Sequence, residues 1–212
     1  MGGDLTRALW ILALLWCAGL ARAGEPAPHR LVELVPAQRR VVSPVVYLVD
    51  VSGSMGGTGA AAQALTRALS ASDDGKAGLL AWGDSCSRLL WGQAGERRWL
   101  RLPDLEGVAV ATRWLAALPA APRTRLAPAL EAALSDPEAR SLVVISDGLW
   151  DDGDEAVRVL REARRRGSRV VVSGLLVASA GLGTAPVWSA TRGDAAERLC
   201  RLGGGGLWEA RR

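Results

Sequence analysis

The segment Pro44-Val45-Val46-Tyr47-Leu48-Val49-Asp50-Val51-Ser52-Gly53-Ser54 joins an apolar run to a polar loop. The run at residues 44–49 is continuous rather than alternating, which is typical of a strand buried on both faces of a parallel sheet. Asp50, Ser52 and Ser54 then occupy every second position, and alternate residues of an extended chain face the same way. We therefore predict that these three side chains converge at the carboxyl end of a central strand.

Apolar strands and amphipathic helices alternate along the rest of the chain. This order is typical of βαβ units with right-handed crossovers, and it predicts one α/β domain with a mostly parallel sheet covered by helices on both faces. The predicted strands are 44–49, 76–82, 88–91, 142–145, 169–177 and 206–210, with 88–91 antiparallel to its neighbour, and the predicted helices are 60–70, 105–118, 126–134, 154–166 and 194–202.

The N-terminus has the pattern of a secretory signal peptide. An apolar run at residues 8–20 is followed by Ala21-Arg22-Ala23, a small-x-small pattern that predicts cleavage after Ala23. A membrane anchor is the alternative, but the run is shorter than the roughly 20 residues that a spanning helix needs. The expected organisation is a signal peptide at 1–23, an N-terminal linker at 24–40 and one domain at 41–212.

Composition and charge argue against several functional classes. The formal net charge is +4, and the basic residues are interleaved with acidic ones rather than clustered in the stripe that binds nucleic acid. The only histidine, His29, lies in the predicted linker, so the core supplies neither a Ser-His-Asp triad nor the histidines of a zinc hydrolase. We expect a secreted or periplasmic protein that has no membrane span after cleavage, binds no nucleic acid and is not an enzyme. Cys86 and Cys200 are predicted to lie near opposite edges of the sheet and to stay unpaired.

A second strand end also carries an acid. The apolar strand at 142–145 is followed by Ser146-Asp147-Gly148. Ligands of an open parallel sheet bind at the carboxyl ends of its strands, where the strand order reverses, so Asp50 and Asp147 are predicted to face one site. Two carboxylates and nearby hydroxyls form an all-oxygen set that favours Mg²⁺, with Mn²⁺ and Ca²⁺ as alternatives. Neutral hydroxyls and only two acids leave such an ion under-neutralised, so the site should accept an anionic group from a partner.

These residues resemble the metal-ion-dependent adhesion site of von Willebrand factor type A (VWA) domains. That site combines an Asp-x-Ser-x-Ser motif after an apolar strand, a Thr before an Ala/Leu-rich helix and an Asp after a later strand. The matching residues are Asp50, Ser52 and Ser54, then Thr124 in Arg123-Thr124-Arg125-Leu126-Ala127, then Asp147, with Ala81-Trp82-Gly83-Asp84 similar to a strand-ending segment of the family. One difference is Pro122-Arg123, where the family usually has glycine.

The resemblance covers about residues 41–212 and implies a Rossmann-like, doubly wound fold. It implies six strands in the order 3-2-1-4-5-6 with one antiparallel edge strand. It also implies that Ser52, Ser54 and Thr124 contact the metal, while Asp50 and Asp147 act directly or through water. An Asp or Glu carboxylate of a protein partner would fill the open position. The expected function is therefore Mg²⁺-dependent protein binding, by a chain expected to be a monomer.

Other interpretations of the same residues stay open at this point. Asp50 and Ser52 also occur in turns and helix caps that hold no metal. A carboxylate that assists a metal-bound water would make the protein a hydrolase, and an empty site would leave a metal-independent scaffold or assembly factor. The acidic residues within 151–155 form either an accessory cation site or a favourable helix start. Trp150 is expected either at the rim of the metal face or in the core.

Overall fold

A computed structural model describes residues 30–55, 58–70, 75–90, 99–102, 104–177 and 193–211. Within those ranges the chain forms eight strands and five helices, with a short 3-10 turn at Gly53–Met55. The strands are β1 (Arg30–Val35), β2 (Val45–Asp50), β3 (Gly75–Trp82), β4 (Cys86–Arg88), β5 (Leu100–Leu102), β6 (Ser141–Ser146), β7 (Val171–Val177) and β8 (Gly204–Arg211). The helices are α1 (Thr58–Ser70), α2 (Leu105–Ala116), α3 (Ala127–Leu134), α4 (Gly153–Arg165) and α5 (Gly193–Gly203).

The strands form one mixed sheet in the order β1-β8-β7-β6-β2-β3-β4, and β5 also pairs with β3. The five strands β3, β2, β6, β7 and β8 run parallel to one another. The strands β1, β4 and β5 are antiparallel to their neighbours. The six predicted strands occur in the predicted order, so the doubly wound α/β fold is confirmed. The strand predicted at 88–91 lies instead at Cys86–Arg88, and the sheet of the described residues has eight strands with three antiparallel ones rather than six with one.

Two strands were not predicted, and one of them corrects the linker expected at 24–40. β1 lies inside that segment and pairs antiparallel with β8, so β8, the last strand of the predicted order 3-2-1-4-5-6, does not lie at the edge of the sheet. Its position between proline-containing stretches hides it in the sequence, yet Val35 is only 2% exposed. β5 has three residues, of which Leu100 and Leu102 are buried, and three residues are too few for a periodic signal.

The central strand β2 is buried along its whole length, as its continuous apolar sequence predicts. Val45, Tyr47 and Val49 pack into a core formed with α1 and α2 on one face of the sheet. Val46 and Leu48 pack on the other face, into a core formed with α3 and α4. Because each fully buried aliphatic side chain contributes about 1.5–3 kcal/mol, this strand ties both layers together.

The strand order reverses at β2. The chain leaves β2 for β3 on one side of it and later returns as β6 on the other side. The register places Asp50 opposite Trp82 of β3, and Val49 opposite Ile145 of β6, so the carboxyl ends of the three strands are level. Such a reversal is where ligands bind in open α/β sheets.

The two cysteines of the described core lie far apart. Cys86 is in β4 at one edge of the sheet, whereas Cys200 is buried in α5. The Cys200 sulfur packs beside Gly174 of β7, and β3, β2 and β6 lie between β7 and β4. Adjacent strands are about 4.8 Å apart, so this separation exceeds the reach of a disulfide.

No helix in the described ranges has the length and apolar character needed to cross a membrane. The predicted signal peptide at 1–23 lies outside those ranges, as does its expected cleavage site after Ala23.

Candidate metal centre

Asp50 is the last residue of β2, and hydrogen bonds fix the orientation of its carboxylate. Its side chain is fully buried. Oδ1 accepts the backbone N–H of Ser52 at 2.8 Å, and Oδ2 accepts the hydroxyl of Ser146 at 2.7 Å. The Ser146 oxygen in turn accepts the N–H of Gly148 at 3.0 Å and the indole N–H of Trp150 at 2.9 Å. One donor and two acceptor positions are all that a hydroxyl has, so Ser146 is committed to holding Asp50.

The Asp50 carboxylate is held in an unfavourable electrostatic environment. Burial raises its pKa from 3.8 to about 6, and the negative charge of Asp147 also raises it, whereas the hydrogen bonds from Ser52 and Ser146 lower it. Desolvation and a like charge both disfavour the ionised form of an acid, and a nearby cation favours it. A cation next to the Asp50 carboxylate would therefore lower its pKa and favour its ionised form.

The two serines of the Asp-x-Ser-x-Ser motif lie together, as predicted. The 3-10 turn at Gly53–Met55 brings the Ser54 hydroxyl to 3.0 Å from the Ser52 hydroxyl. Met55 completes this turn, because its N–H donates to the Ser52 carbonyl and its side chain is buried. Ser52 is buried and Ser54 is exposed, so the pair extends from the sheet to the surface.

Asp147 follows β6 and has one carboxylate oxygen without a hydrogen bond. Its Oδ1 accepts the N–H of Leu149 at 3.0 Å. Its Oδ2 is buried and has no partner among the residues that the structure describes. The turn depends on Gly148, whose φ of +80° is a left-handed conformation that glycine adopts readily. A buried, unpartnered carboxylate oxygen is costly unless a cation or a proton satisfies it.

The loop that carries Thr124 lies against the Asp50 loop. Ala121 donates its N–H to the carbonyl of Val51 at 2.9 Å and accepts the N–H of Gly53 at 3.0 Å. These two bonds pair the loop that precedes α3 with the backbone around Ser52. Thr124, three residues after Ala121, is buried. Pro122-Arg123, which replaces the usual glycines of the family, is exposed and makes neither of these two bonds.

Gly83, directly after β3, packs closely against the loop that carries Thr124. The Gly83 carbonyl accepts the N–H of Arg125 at 3.0 Å. A Cβ built on Gly83 would lie 2.1 Å from the Cβ of Ala121, so no residue with a side chain fits at position 83 without movement of the loop. Because Gly83 has no side chain, the Thr124 loop can pack directly against the end of β3.

The five predicted ligand residues lie on three loops at the carboxyl ends of β2 and β6, and hydrogen bonds join these loops. Two carboxylates and three hydroxyls, with the unpartnered Asp147 Oδ2 among them, fit a hard cation such as Mg²⁺. Across the described ranges, no three His, Cys, Asp or Glu side chains cluster as a metal site, so a metal here depends on hydroxyl ligands. As a metal-binding set, Asp50, Ser52, Ser54, Thr124 and Asp147 stay a prediction.

Two acids from the 151–155 segment contact the Thr124 loop, which the sequence did not indicate. Asp151 Oδ2 accepts the N–H of Thr124 at 2.9 Å. Asp152 accepts the N–H groups of Leu126 and Ala127 at 2.8 and 2.9 Å, and its side chain makes no cap bond to its own helix α4. The sequence offered one indication of these contacts, the lack of a capping residue before α3. Leu126 occupies the position where a helix usually has Ser, Thr, Asp or Asn.

Trp150 belongs to the core side of the site as well as to its hydrogen-bond network. Its ring is half-buried and meets Trp82 edge-on, with centroids 6.5 Å apart and planes at 76°. Its indole N–H donates to Ser146, which donates to Asp50, so Trp150 and Asp50 belong to one chain of hydrogen bonds.

Comparison with solved structures shows the same fold at low sequence identity. An aerotolerance-related membrane protein from Bacteroides fragilis NCTC 9343 is 16% identical, with a TM-score of 0.52 over 79% of this chain and 90% of that chain. The conserved hypothetical protein BatB from Bacteroides thetaiotaomicron is 19% identical, with a TM-score of 0.51 over 79% and 89%. A von Willebrand factor type A protein from Catenulispora acidiphila is 19% identical, with a TM-score of 0.52 over 81% of this chain and 39% of that chain.

Comparison at the level of sequence families is more specific. No curated protein matches the chain. The model of the family described as "VWA domain containing CoxE-like protein" matches residues 18–181, which is well over half of the chain. The chain therefore belongs to the VWA domain family, in its CoxE-like group.

Proposed function

We propose that this chain is a secreted or periplasmic VWA domain that binds a protein partner through a divalent cation, with Mg²⁺ preferred over Mn²⁺ and Ca²⁺. The proposal rests on the Oδ2 atom of Asp147, which is buried without a hydrogen-bond partner in the described part of the chain. A cation at this point would satisfy that oxygen and would also favour the charged form of Asp50. The proposed ligands are Asp50, Ser52, Ser54, Thr124 and Asp147.

The choice of Mg²⁺ follows from the chemistry of these side chains. All five offer oxygen, and hard cations prefer carboxylate, carbonyl and water oxygens to nitrogen or sulfur. When bound, such an ion supplies a positive centre that attracts an anionic ligand. Mg²⁺ prefers about six oxygen ligands and usually keeps some of them as water, so a bound ion would have a position that an oxygen from outside could take.

A partner that offers an Asp or Glu carboxylate fits this remaining position. Ser54 is exposed and hydrogen-bonded to the buried Ser52, so the proposed site opens at the protein surface. A carboxylate oxygen has the charge and hardness that the ion requires, whereas a backbone carbonyl lacks the charge. Partner binding would therefore depend on both the metal and the acid.

A binding role fits the site better than catalysis does. A serine nucleophile needs an adjacent base, but the Ser54 hydroxyl lies against another hydroxyl, that of Ser52. We therefore propose that the protein is not an enzyme. The predicted signal peptide supports a location outside the cytoplasm.

The proposal is tested by metal-dependent partner capture. The immobilised protein is exposed to secreted and periplasmic proteins in Mg²⁺ or in EDTA, and captured proteins are then rebound individually. We expect a partner that is retained in Mg²⁺, released by EDTA and lost with Ser54→Ala. Ser87→Ala, an exposed serine in β4, is the matched control and should retain it. Equal capture by Ser54→Ala, or capture that EDTA leaves unchanged, would refute the proposal.

A further inference from the structure

Helix α3 begins without a capping side chain of its own. Leu126 occupies the N-cap position, and it offers no side-chain hydrogen bond to the first turn. The first N–H groups of a helix have no partner within the helix, so they need acceptors from elsewhere. Asp152, the residue before α4, supplies them: Oδ1 accepts the Leu126 N–H at 2.8 Å and Oδ2 accepts the Ala127 N–H at 2.9 Å.

Thr124 is held by Asp151, the residue that precedes Asp152 in the loop after β6. The Thr124 N–H donates to Asp151 Oδ2 at 2.9 Å, and the Asp151 N–H donates to the Thr124 carbonyl at 2.9 Å. The two bonds fix the peptide groups on both sides of Thr124. They therefore restrict the backbone dihedrals of Thr124 and, through them, the direction of its side chain.

We propose that Asp151 and Asp152 are positioning residues that fix the Thr124 loop to the Asp147 loop before a metal ion binds. This inference rests on the proposed function, because it assigns Thr124 to the metal site. Asp151 and Asp152 lie four and five residues after Asp147, so their four hydrogen bonds connect the loop after β6 to the loop between α2 and α3 that carries Thr124. Ligand residues that are already ordered lose less conformational entropy when the metal binds, so the affinity is higher.

The two acids differ in the number of oxygens that they use, and this difference predicts how their variants behave. Asp151 accepts through Oδ2 alone, so the amide oxygen of Asp151→Asn can replace it. Asp152 accepts through both oxygens, so Asp152→Asn keeps only one of two bonds. We expect Asp151→Asn to bind Mg²⁺ within about threefold of the unchanged protein, and Asp151→Ala and Asp152→Ala to bind about tenfold more weakly. Asp152→Asn should fall between them.

Removal of a negative charge can weaken cation binding by itself. The control must therefore remove the charge of an acid that makes no contact with the Thr124 loop. Asp154→Asn does this. Its side chain is 88% exposed, and it pairs with Arg198 rather than with the Thr124 loop. We expect Asp154→Asn to bind Mg²⁺ as the unchanged protein does, because an exposed charge is largely screened by salt.

The experiment combines Mg²⁺ calorimetry with amide hydrogen exchange of the metal-free protein in EDTA, read by NMR. The Thr124, Leu126 and Ala127 amides should be protected without metal. Asp151→Ala should expose Thr124 and Asp152→Ala should expose Leu126 and Ala127, while β2 amides stay protected. The Asn variants provide the same comparison if an Ala variant unfolds.

Each readout has a separate meaning. Unprotected Thr124, Leu126 and Ala127 amides in the metal-free protein would overturn the positioning role, as would unchanged Mg²⁺ affinity in both Ala variants. Absence of Mg²⁺ binding by the unchanged protein would overturn the proposed function instead, and the amide protection would still decide whether these acids hold the loop.

Discussion

Asp50 links the buried sheet to the proposed site, and its position has an energetic cost. Its pKa is raised from 3.8 to about 6, chiefly by burial, so without a cation the folded chain binds a proton more tightly than the unfolded chain does. Stability is then lost as pH rises from about 4 through about 6, by an amount on the order of 3 kcal/mol. A carboxylate that costs stability at neutral pH is expected at a binding site rather than in a structural role.

Asp50→Asn removes this charge and should remove the pH dependence that comes from it, so the stability difference between the variant and the unchanged protein should change sign with pH. In EDTA at pH 8 the variant should be more stable than the unchanged protein by about 2 kcal/mol, since no buried charge remains. At pH 4, where Asp50 is neutral, the variant should be less stable by about 1 kcal/mol, because an amide has only one acceptor oxygen for two donors. Urea unfolding across this pH range measures both values. A stability difference that does not change with pH would contradict the raised pKa.

Gly83 is the second residue whose replacement tests the site. Gly83→Ala would place a methyl group 2.1 Å from the Ala121 Cβ, so the Thr124 loop must move. We expect a loss of about 1–3 kcal/mol in the free energy of unfolding, as for overpacking, together with weaker Mg²⁺ binding. The matched control is Gly53→Ala, whose Cβ would meet its nearest atom at an ordinary 3.9 Å. Equal behaviour of the two variants in urea unfolding would argue against the close contact.

At the scale of elements, the sequence predicted what periodicity and burial determine. β2 and β6 are apolar runs buried on both faces, and their carboxyl ends carry the acids that meet at the strand reversal. β1 was missed because it lies between proline-containing stretches. β5 was missed because it has only three residues. The contacts of Asp151 and Asp152 were also missed, because they join a side chain to backbone N–H groups 25 to 27 residues away. No local pattern encodes such a pairing.

Val35→Ala tests whether β1 is part of the fold. Val35 is 2% exposed and packs with Leu176 and Leu207, so its truncation should cost about 1–3 kcal/mol. Val42→Ala is the control, since Val42 is 42% exposed and should change stability by less than about 0.5 kcal/mol. Thermal or urea unfolding compares the two. A linker throughout 24–40 would instead make both changes neutral.

At the scale of the whole molecule, the sheet positions the residues of the proposed metal site, and the helices cover both of its faces. The strand order β4-β3-β2-β6-β7-β8 brings residues about a hundred positions apart, such as Asp50 and Ser146, into hydrogen-bond contact. The fold and the family follow from patterns along the sequence, whereas the rigidity of the site follows from contacts between loops. An ion that binds only the folded chain also stabilises it by mass action.

Calorimetric titration of Mg²⁺ into the metal-free protein is the most direct measurement, with Thr124→Val as its comparison. Valine has nearly the shape of the buried Thr124 side chain but carries a methyl group in place of the hydroxyl, so it removes the proposed metal ligand with little change in volume. We predict saturable binding of one ion per chain, a rise in Tm on Mg²⁺ addition, and at least about tenfold weaker binding by Thr124→Val. No Mg²⁺ binding by the unchanged protein, or equal binding by Thr124→Val, would contradict the metal site.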